Sequence, residues 1–404
     1  MDMSGGTILG IRRQWLMLGI VVLGLNASVT VLALYLPVVL ARLTDSQAAV
    51  GFGVGIEGLV ALTIPLIIGR ASDRRGKRLP YMIAATPLIV AGLLGAAFLD
   101  SYWPLVGAVV TYFIGYYAYY TAYQALYPDT LPAAEYGRAW SVLNVFQGIG
   151  VGSALVGGGA LLTISPGAPF LGAAGLLLIT TALAALLIRE RRVGRVLPPR
   201  RGTLRTLADH LRTDRHLRLF LPAHFGWEFA LAAIRAFVLL YLLDGLGVSG
   251  ASLVGILGVV LVAYLVAAVT SGNIIDRFDP RRYTAGVILL FAAAMFTLGV
   301  TTDETVLRAV LPFGVFSGAA VLMLAYPILL RVTPADRRGE YTGYYQANRG
   351  LALLGGTVGT GWLIDRFGGA FPATDGYQVL WLTAGAVVLA TIPFFWQLTR
   401  KTAT

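Results

Sequence analysis

The chain contains no cysteine, which excludes disulfides, thiolate metal sites and thiol catalysis. Charge is scarce. Asp, Glu, Lys and Arg together make up 13% of the 404 residues, about half the roughly 25% of a soluble domain. There are three histidines, His210, His216 and His224, too scattered for a metal-ligand set or a nucleophile–base pair. The phosphate loop G-x-x-x-x-G-K-[ST] is missing, which argues against direct drive by ATP. These absences predict a chain that is no enzyme and carries no cofactor or metal. The first apolar run is also too long for a cleaved leader and has no convincing cleavage site.

What the sequence has in quantity is apolar surface: 57% of residues, with a mean hydropathy of +0.75. The apolar residues come in continuous runs of about 20, the length of a bilayer-crossing helix. They lack the alternation of a β-barrel, and inside lipid each segment must satisfy its own backbone, so the runs are helices. The reading is an all-α membrane protein with twelve transmembrane helices. They span roughly 15–40, 47–69, 80–99, 104–127, 138–163, 168–188, 218–243, 250–273, 283–301, 306–331, 340–364 and 377–398.

The net charge of +11 invites a nucleic-acid partner, but its distribution excludes one. Apart from Arg42, Arg235, Arg308, Arg349 and Arg366, every Lys and Arg falls on one side when helices are counted alternately. That is the positive-inside pattern, and it puts both termini in the cytoplasm. The Arg-rich composition and short loops point to a prokaryotic inner membrane. One connection is long. Residues 189–217 hold nine arginines and the Pro198-Pro199 pair, a basic cytoplasmic linker between six-helix bundles at 1–188 and 218–404.

The halves repeat. Gly69-x-x-x-Asp73-Arg74 recurs as Gly272-x-x-x-Asp276-Arg277, half a chain later. Tyr127-Pro128 closing span 4 recurs as Tyr326-Pro327 closing span 10. Parallel repeats related by an axis along the membrane normal are one architecture of secondary transporters.

The stretch Gly69-Arg-Ala-Ser-Asp73-Arg74-Arg-Gly76-Lys77-Arg78 resembles the signature loop between the second and third helices of the major facilitator superfamily. The likeness covers almost the whole chain, from Trp15 to about Trp396. It implies two pseudo-symmetric six-helix bundles working by alternating access, and a cytoplasmic gate at Gly69, Asp73, Arg74, Gly76, Lys77, Asp276 and Arg277. The second copy is degraded, with Asp279-Pro280 where the pattern has Gly, so the latch should rest mainly on Asp73. Gly69 and Gly76 are expected to permit close helix approach and a tight turn, whereas Arg75 and Arg78 are read as topology anchors only. Gly361-Trp-Leu-Ile-Asp365-Arg366-Phe-Gly368 looks like a third copy, but it faces outside, where it cannot do the same job.

Ionisable groups within spans default to functional roles. Glu57, Glu228, Arg235 and Arg349 lie near mid-span, two acids and two bases suited to pairing. Glu228 and Arg235 share one helical face, two turns apart, and His224 stands one turn before Glu228. These five are the candidates for proton coupling: Glu228 or Glu57 to carry the proton, Arg235 or Arg349 to modulate it, and His224 to tune or relay it.

Span 4 carries Tyr112, Tyr116, Tyr119, Tyr120, Tyr123 and Tyr127 within an arc of roughly 100°. Tyrosine offers a flat apolar face and a hydroxyl for recognition. Tyr116, Tyr119, Tyr120, Tyr123 and Gln124 are therefore candidate substrate-lining groups, together with Asn26, Asn144, Gln147, Trp227, Gln346 and Asn348. The competing reading is helix packing, with the tyrosine hydroxyls bonded across to span 2 or 5. Arg78-Leu-Pro80-Tyr-Met-Ile-Ala-Ala-Thr-Pro87 and Tyr123-Gln-Ala-Leu-Tyr-Pro128-Asp129 look like the corresponding segments of sucrose and glycoside cation symporters. The expected partners are thus a small polar solute such as a sugar, a coupling ion (H+ or Na+) and the lipid bilayer, with the protein a monomer. A proton antiporter exporting drugs or amphiphiles is the alternative carrier, and a non-transporting receptor is the rival outside that class.

Overall fold

The computed structural model describes residues 7–8, 11–130, 136–188, 211–277, 280–332 and 338–398. Twelve long helices dominate. They are α1 (Arg13–Ala41), α2 (Gln47–Arg75), α3 (Leu79–Phe98), α4 (Tyr102–Thr130), α5 (Tyr136–Gly152 and its continuation), α6 (Ala168–Leu187), α7 (Arg215–Leu240), α8 (Gly250–Arg277), α9 (Pro280–Val300), α10 (Glu304–Val332), α11 (Arg338–Phe367) and α12 (Gln378–Leu398). Two-residue strands, Thr7–Ile8 and Ile11–Arg12, pair antiparallel ahead of α1. The twelve expected spans all appear. Several helices outrun them, α2 and α11 most clearly, because a helix need not stop where its apolar residues do. Most of the basic linker, 189–210, lies outside the described residues.

Ten of these helices are long and apolar enough to cross a membrane. The two that fall short are α4, where tyrosines dilute the aliphatic content, and α11, which carries Gln346, Asn348 and Arg349. Both hold candidate site residues.

The chain folds as two compact units, Met1–Val39 with Val60–Pro198, and Leu40–Leu59 with Pro199–Thr404. In the first unit α3 packs along α4 and against α6. The α3–α4 seam is close because small residues line it: a methyl added at Gly115 would meet the Ala85 carbonyl oxygen at 2.9 Å. Helix α5 loosens into a π turn at Ser153–Gly157 and recovers over Gly158–Leu162. The buried Tyr35 hydroxyl lies 3.0 Å from the carbonyls of both Ala154 and Leu155 and donates there. A widened turn cannot satisfy all its own acceptors, and Tyr35 makes good the shortfall.

In the second unit α7 packs on α11 and α12, α9 on α10 and α12, and α8 on α10. The start of α7 is set by Asp214, which accepts from the backbone N–H of His216 at 2.8 Å and of Leu217 at 3.2 Å. The buried Tyr341 hydroxyl, on α11, donates to the same carboxylate. Burial raises the Asp214 pKa, but the bonds from Tyr341, Leu217 and His216 outweigh it and hold the carboxyl below its ordinary range. A depressed carboxylate stabilises the fold above its unfolded pKa, near 4, and that contribution disappears as the pH falls through the folded value. Asp214→Ala should therefore cost about 1–2 kcal/mol at neutral pH. Thermal unfolding in detergent should show the gap to wild type narrowing as the pH drops below about 4.

Within the same unit the first half of α2 lies along α11. A methyl at Gly51 or Gly58 would run into the carbonyl of Thr357 or Gly350, and one at Gly55 into the Thr357 hydroxyl. Bare backbones in contact are the signature of small-residue helix packing in membranes.

Candidate functional site

The charged groups expected near mid-span form two pairs, both in the second unit. From α2, Glu57 faces Arg235 of α7, with Oε2 3.7 Å from Nη2. From α7, Glu228 faces Arg349 of α11, with Oε1 3.5 Å from Nε. Glu57 and Glu228 are each only 5% exposed, whereas the Arg235 and Arg349 side chains are 33% and 41% exposed. Each pair thus buries its acid and leaves part of its base open. A carboxylate deep in protein needs a counter-charge to stay ionised, and each arginine can supply one while still reaching a mobile solute or water.

A second layer surrounds Glu228. One turn earlier on α7, the fully buried His224 places Nε2 3.5 Å from Glu228 Oε1. The imidazole stacks on Tyr345 of α11 (ring centroids 4.1 Å apart) and on Phe220 (5.5 Å), and these two rings also stack on each other (6.3 Å). Tyr326 of α10 meets Tyr345 edge-on. On the far side of the imidazole, Asn348 Nδ2 lies 2.9 Å from Nδ1 and also donates to the Leu221 carbonyl at 3.1 Å. Helix α7 brings Phe220, His224 and Glu228 together because they recur every four residues on one face. Helix α11 contributes the adjacent Tyr345, Asn348 and Arg349 in a single turn.

The structure relocates several other candidates. Trp227 is fully buried, donates from Nε1 to Thr391 at 2.9 Å and packs on Phe395, so it is part of the α7–α12 core. Asn348 spends Nδ2 on His224 Nδ1 and the Leu221 carbonyl. Asn26 donates to Val22 of its own helix at 2.9 Å. Asn144, Gln124 and Gln346 are exposed, and Gln147 is half-buried.

The tyrosines of α4 fall into two sets. Tyr112 shares a hydrogen with Ser28 at 3.0 Å, Tyr119 with Thr181 at 3.2 Å, and Tyr123 donates to the Leu18 carbonyl at 3.1 Å. All three are buried, with these bonds running to α1 and α6. Tyr116 and Tyr120 are only half-buried and stack nearly parallel, centroids 5.7 Å apart at 9°. Of the four tyrosines expected to meet substrate, these two are the less buried, and Tyr116 also stacks on Tyr112, centroids 6.1 Å apart at 13°.

At the basic turn the side chains of Asp73, Arg74, Asp276 and Arg277 lie outside the described residues. Gly76 adopts φ +61°, a left-handed turn that suits glycine. At Gly69, among the described residues, a methyl would sit 3.7 Å from Thr121, at ordinary contact distance. Lys77 is exposed. Arg78, read as an anchor only, is 1% exposed and donates from Nη1 to Ser72 at 2.6 Å. It ties the end of α2 to the start of α3, a role hidden among neighbouring cations.

Asp365, in the motif copy that faces the wrong side for a gate, is also engaged. Its carboxylate accepts from Ser46 Oγ at 2.9 Å and from the backbone N–H groups of Gln47 at 2.7 Å and Ala48 at 2.9 Å. It caps α2, where unpaired N–H groups and the helix dipole favour an anion.

Comparison with solved structures identifies the architecture. A nucleoside transporter, NupG, aligns with TM-score 0.78 at 13% identity, covering 96% of this chain and 99% of that one. A bacterial homolog of the human lysosomal transporter Spinster, inward-facing and occupied, aligns with TM-score 0.76 at 15% identity, over 98% of both chains. A D-xylose-proton symporter aligns with TM-score 0.76 at 17% identity, over 96% and 98%. These relatives are transporters and not enzymes. No curated protein sequence matches significantly. The family profile of the Major Facilitator Superfamily matches residues 16–352 and 238–404, which together span nearly the whole chain. A multi-pass, all-helical membrane protein with this fold and this match belongs to the Major Facilitator Superfamily.

Proposed function

We propose that the protein is a proton-coupled secondary transporter of a small hydroxylated solute, a sugar or a nucleoside-like molecule, working by alternating access. The observation that carries this reading is the pair of buried carboxylates, Glu57 and Glu228, each set against a partly open arginine. A buried acid shifts its protonation when the field around it changes, so a movement that draws Arg349 away from Glu228 would favour proton uptake. The half-buried Tyr116 and Tyr120 of the first unit have the chemistry to meet the apolar face of a sugar ring; separately, in the second unit, the partly open guanidiniums of Arg235 and Arg349 can donate to hydroxyls. That two structural neighbours are named for xylose–proton symport and nucleoside transport supports this choice of solute class. In this reading the protein sits in a prokaryotic inner membrane with both termini cytoplasmic. The six-helix halves 1–188 and 218–404 move about the 189–217 linker, with Asp73 and its neighbours as the cytoplasmic latch.

Purified protein in liposomes tests it. Labelled xylose and uridine should accumulate under a pH gradient, lose that accumulation with a protonophore, and show no response to a sodium gradient alone. Export of amphiphilic dyes under the same gradient would move the protein to the antiporter class. No flux of any solute under any gradient would overturn the reading.

A further inference from the structure

Asn348 holds a position that neither a packing residue nor a substrate ligand would require. Its side-chain amide touches two acceptors at once, the Leu221 carbonyl at 3.1 Å and His224 Nδ1 at 2.9 Å. A backbone carbonyl can only accept, so the amide atom facing it must be the nitrogen. That nitrogen has two hydrogens and uses one on each partner. His224 Nδ1 must then be an acceptor, and the ring proton resides on Nε2, which lies 3.5 Å from Glu228 Oε1 without meeting hydrogen-bond geometry. Adding a proton to Nδ1 would set two donors against each other in a fully buried site. Turning the amide over would set its oxygen against the Leu221 carbonyl.

We infer that Asn348 is a positioning residue that fixes His224 as the Nε2–H tautomer, so that the histidine presents an N–H and not a lone pair beside Glu228. This rests on the coupled-transport reading above and sharpens it: Glu228 alone exchanges the proton, and His224 orients it without relaying. The surroundings agree. On α7 itself the ring sees Phe220 and Glu228; α11 brings Tyr345, Asn348 and Arg349; α10 brings Tyr326 behind Tyr345. Helix α12 carries no titratable residue. No second carboxylate among the described residues of these elements faces Nδ1 to stabilise an imidazolium there.

The tautomer can be read directly. With His210→Gln and His216→Gln in place, His224 is the only histidine, and nitrogen-15 labelling of histidine in lipid-embedded protein reports its two ring nitrogens by solid-state NMR. At neutral pH the expected spectrum has a protonated Nε2 and an unprotonated Nδ1. A protonated Nδ1 in this otherwise wild-type protein overturns the inference, whether or not Asn348→Asp folds. Asn348→Asp supplies a carboxylate to Nδ1 and should protonate it. The transport pH profile, a single titration step in wild type, should then gain a second step. An unprotonated Nδ1 or a single-step profile in Asn348→Asp would also overturn it. Absence of flux in wild-type liposomes, with the NMR result as expected, would instead defeat the transport reading and leave the tautomer assignment standing.

Discussion

Glu228→Gln is expected to abolish accumulation against a gradient while preserving exchange of solute at equilibrium. Glutamine keeps the shape of the side chain and an amide oxygen beside His224, so the packing around α7 and α11 should survive. What disappears is the capacity to take up a proton and the counter-charge to Arg349. Since that guanidinium is 41% exposed, water can solvate it. The fold should therefore escape much of the roughly 3–5 kcal/mol that breaking a fully buried pair costs. A pH gradient of one unit is worth about 1.4 kcal/mol per proton, or about tenfold accumulation at one proton per solute. Wild type should approach that ratio and the variant should fall to unity, while counterflow of labelled against unlabelled solute proceeds. Glu57→Gln should lower the rate yet leave the accumulation ratio intact. If the two variants exchange these phenotypes, Glu57 is the coupling acid. If neither changes the ratio, the proton passes elsewhere.

The second large effect should come from Gly58→Leu. A side chain there is driven into the Gly350 carbonyl of α11, and a helix backbone cannot swing aside as a side chain can. Overpacking a well-fitted core costs about 1–3 kcal/mol even where neighbours can adjust, and this contact should lie at or above the upper end. The detergent-solubilised variant should show a lowered Tm and reduced transport. Gly343→Ala, in α11, makes a fair control, because an added methyl there meets nothing within 4 Å among the described residues. It should leave Tm unchanged or raise it slightly, since alanine favours helix by up to about 1 kcal/mol. A Gly58→Leu protein as stable and active as wild type would show that α2 and α11 need not approach so closely.

Much of the architecture is legible in the sequence because the bilayer imposes it. Apolar runs of fixed length must be helices, and the scarce charges within them must find partners, so Glu57, Glu228, Arg235, Arg349 and His224 stand out from the chain alone. Their pairing does not. Periodicity places Glu228 and Arg235 on one face of α7, but only packing shows that Arg349 is the nearer partner of Glu228 and that Glu57 arrives from α2. Tyr345 gives no warning, being one tyrosine among many; its position four residues before Arg349 is the one hint of a shared face. Arg78 is lost in a crowd of cations, whose individual burial no composition argument can resolve. Trp227 and Tyr119 have the chemistry of a binding site, yet the same hydrogen-bonding capacity lets them tie helices together. Asn348 shows the limit from the other side: the sequence marks a polar residue in a span, and only its two acceptors reveal what it does.

Asp365 carries a consequence for kinetics. The backbone N–H groups of Gln47 and Ala48 stand at the open end of α2, where water would normally exchange their hydrogens freely. Bonded to the Asp365 carboxylate, they exchange only when that cap lets go. Deuterium uptake at these two amides would therefore record each parting of α2 from α11 as a count of openings over time. A solute that holds the two helices together should slow that clock, and one that drives them apart should quicken it.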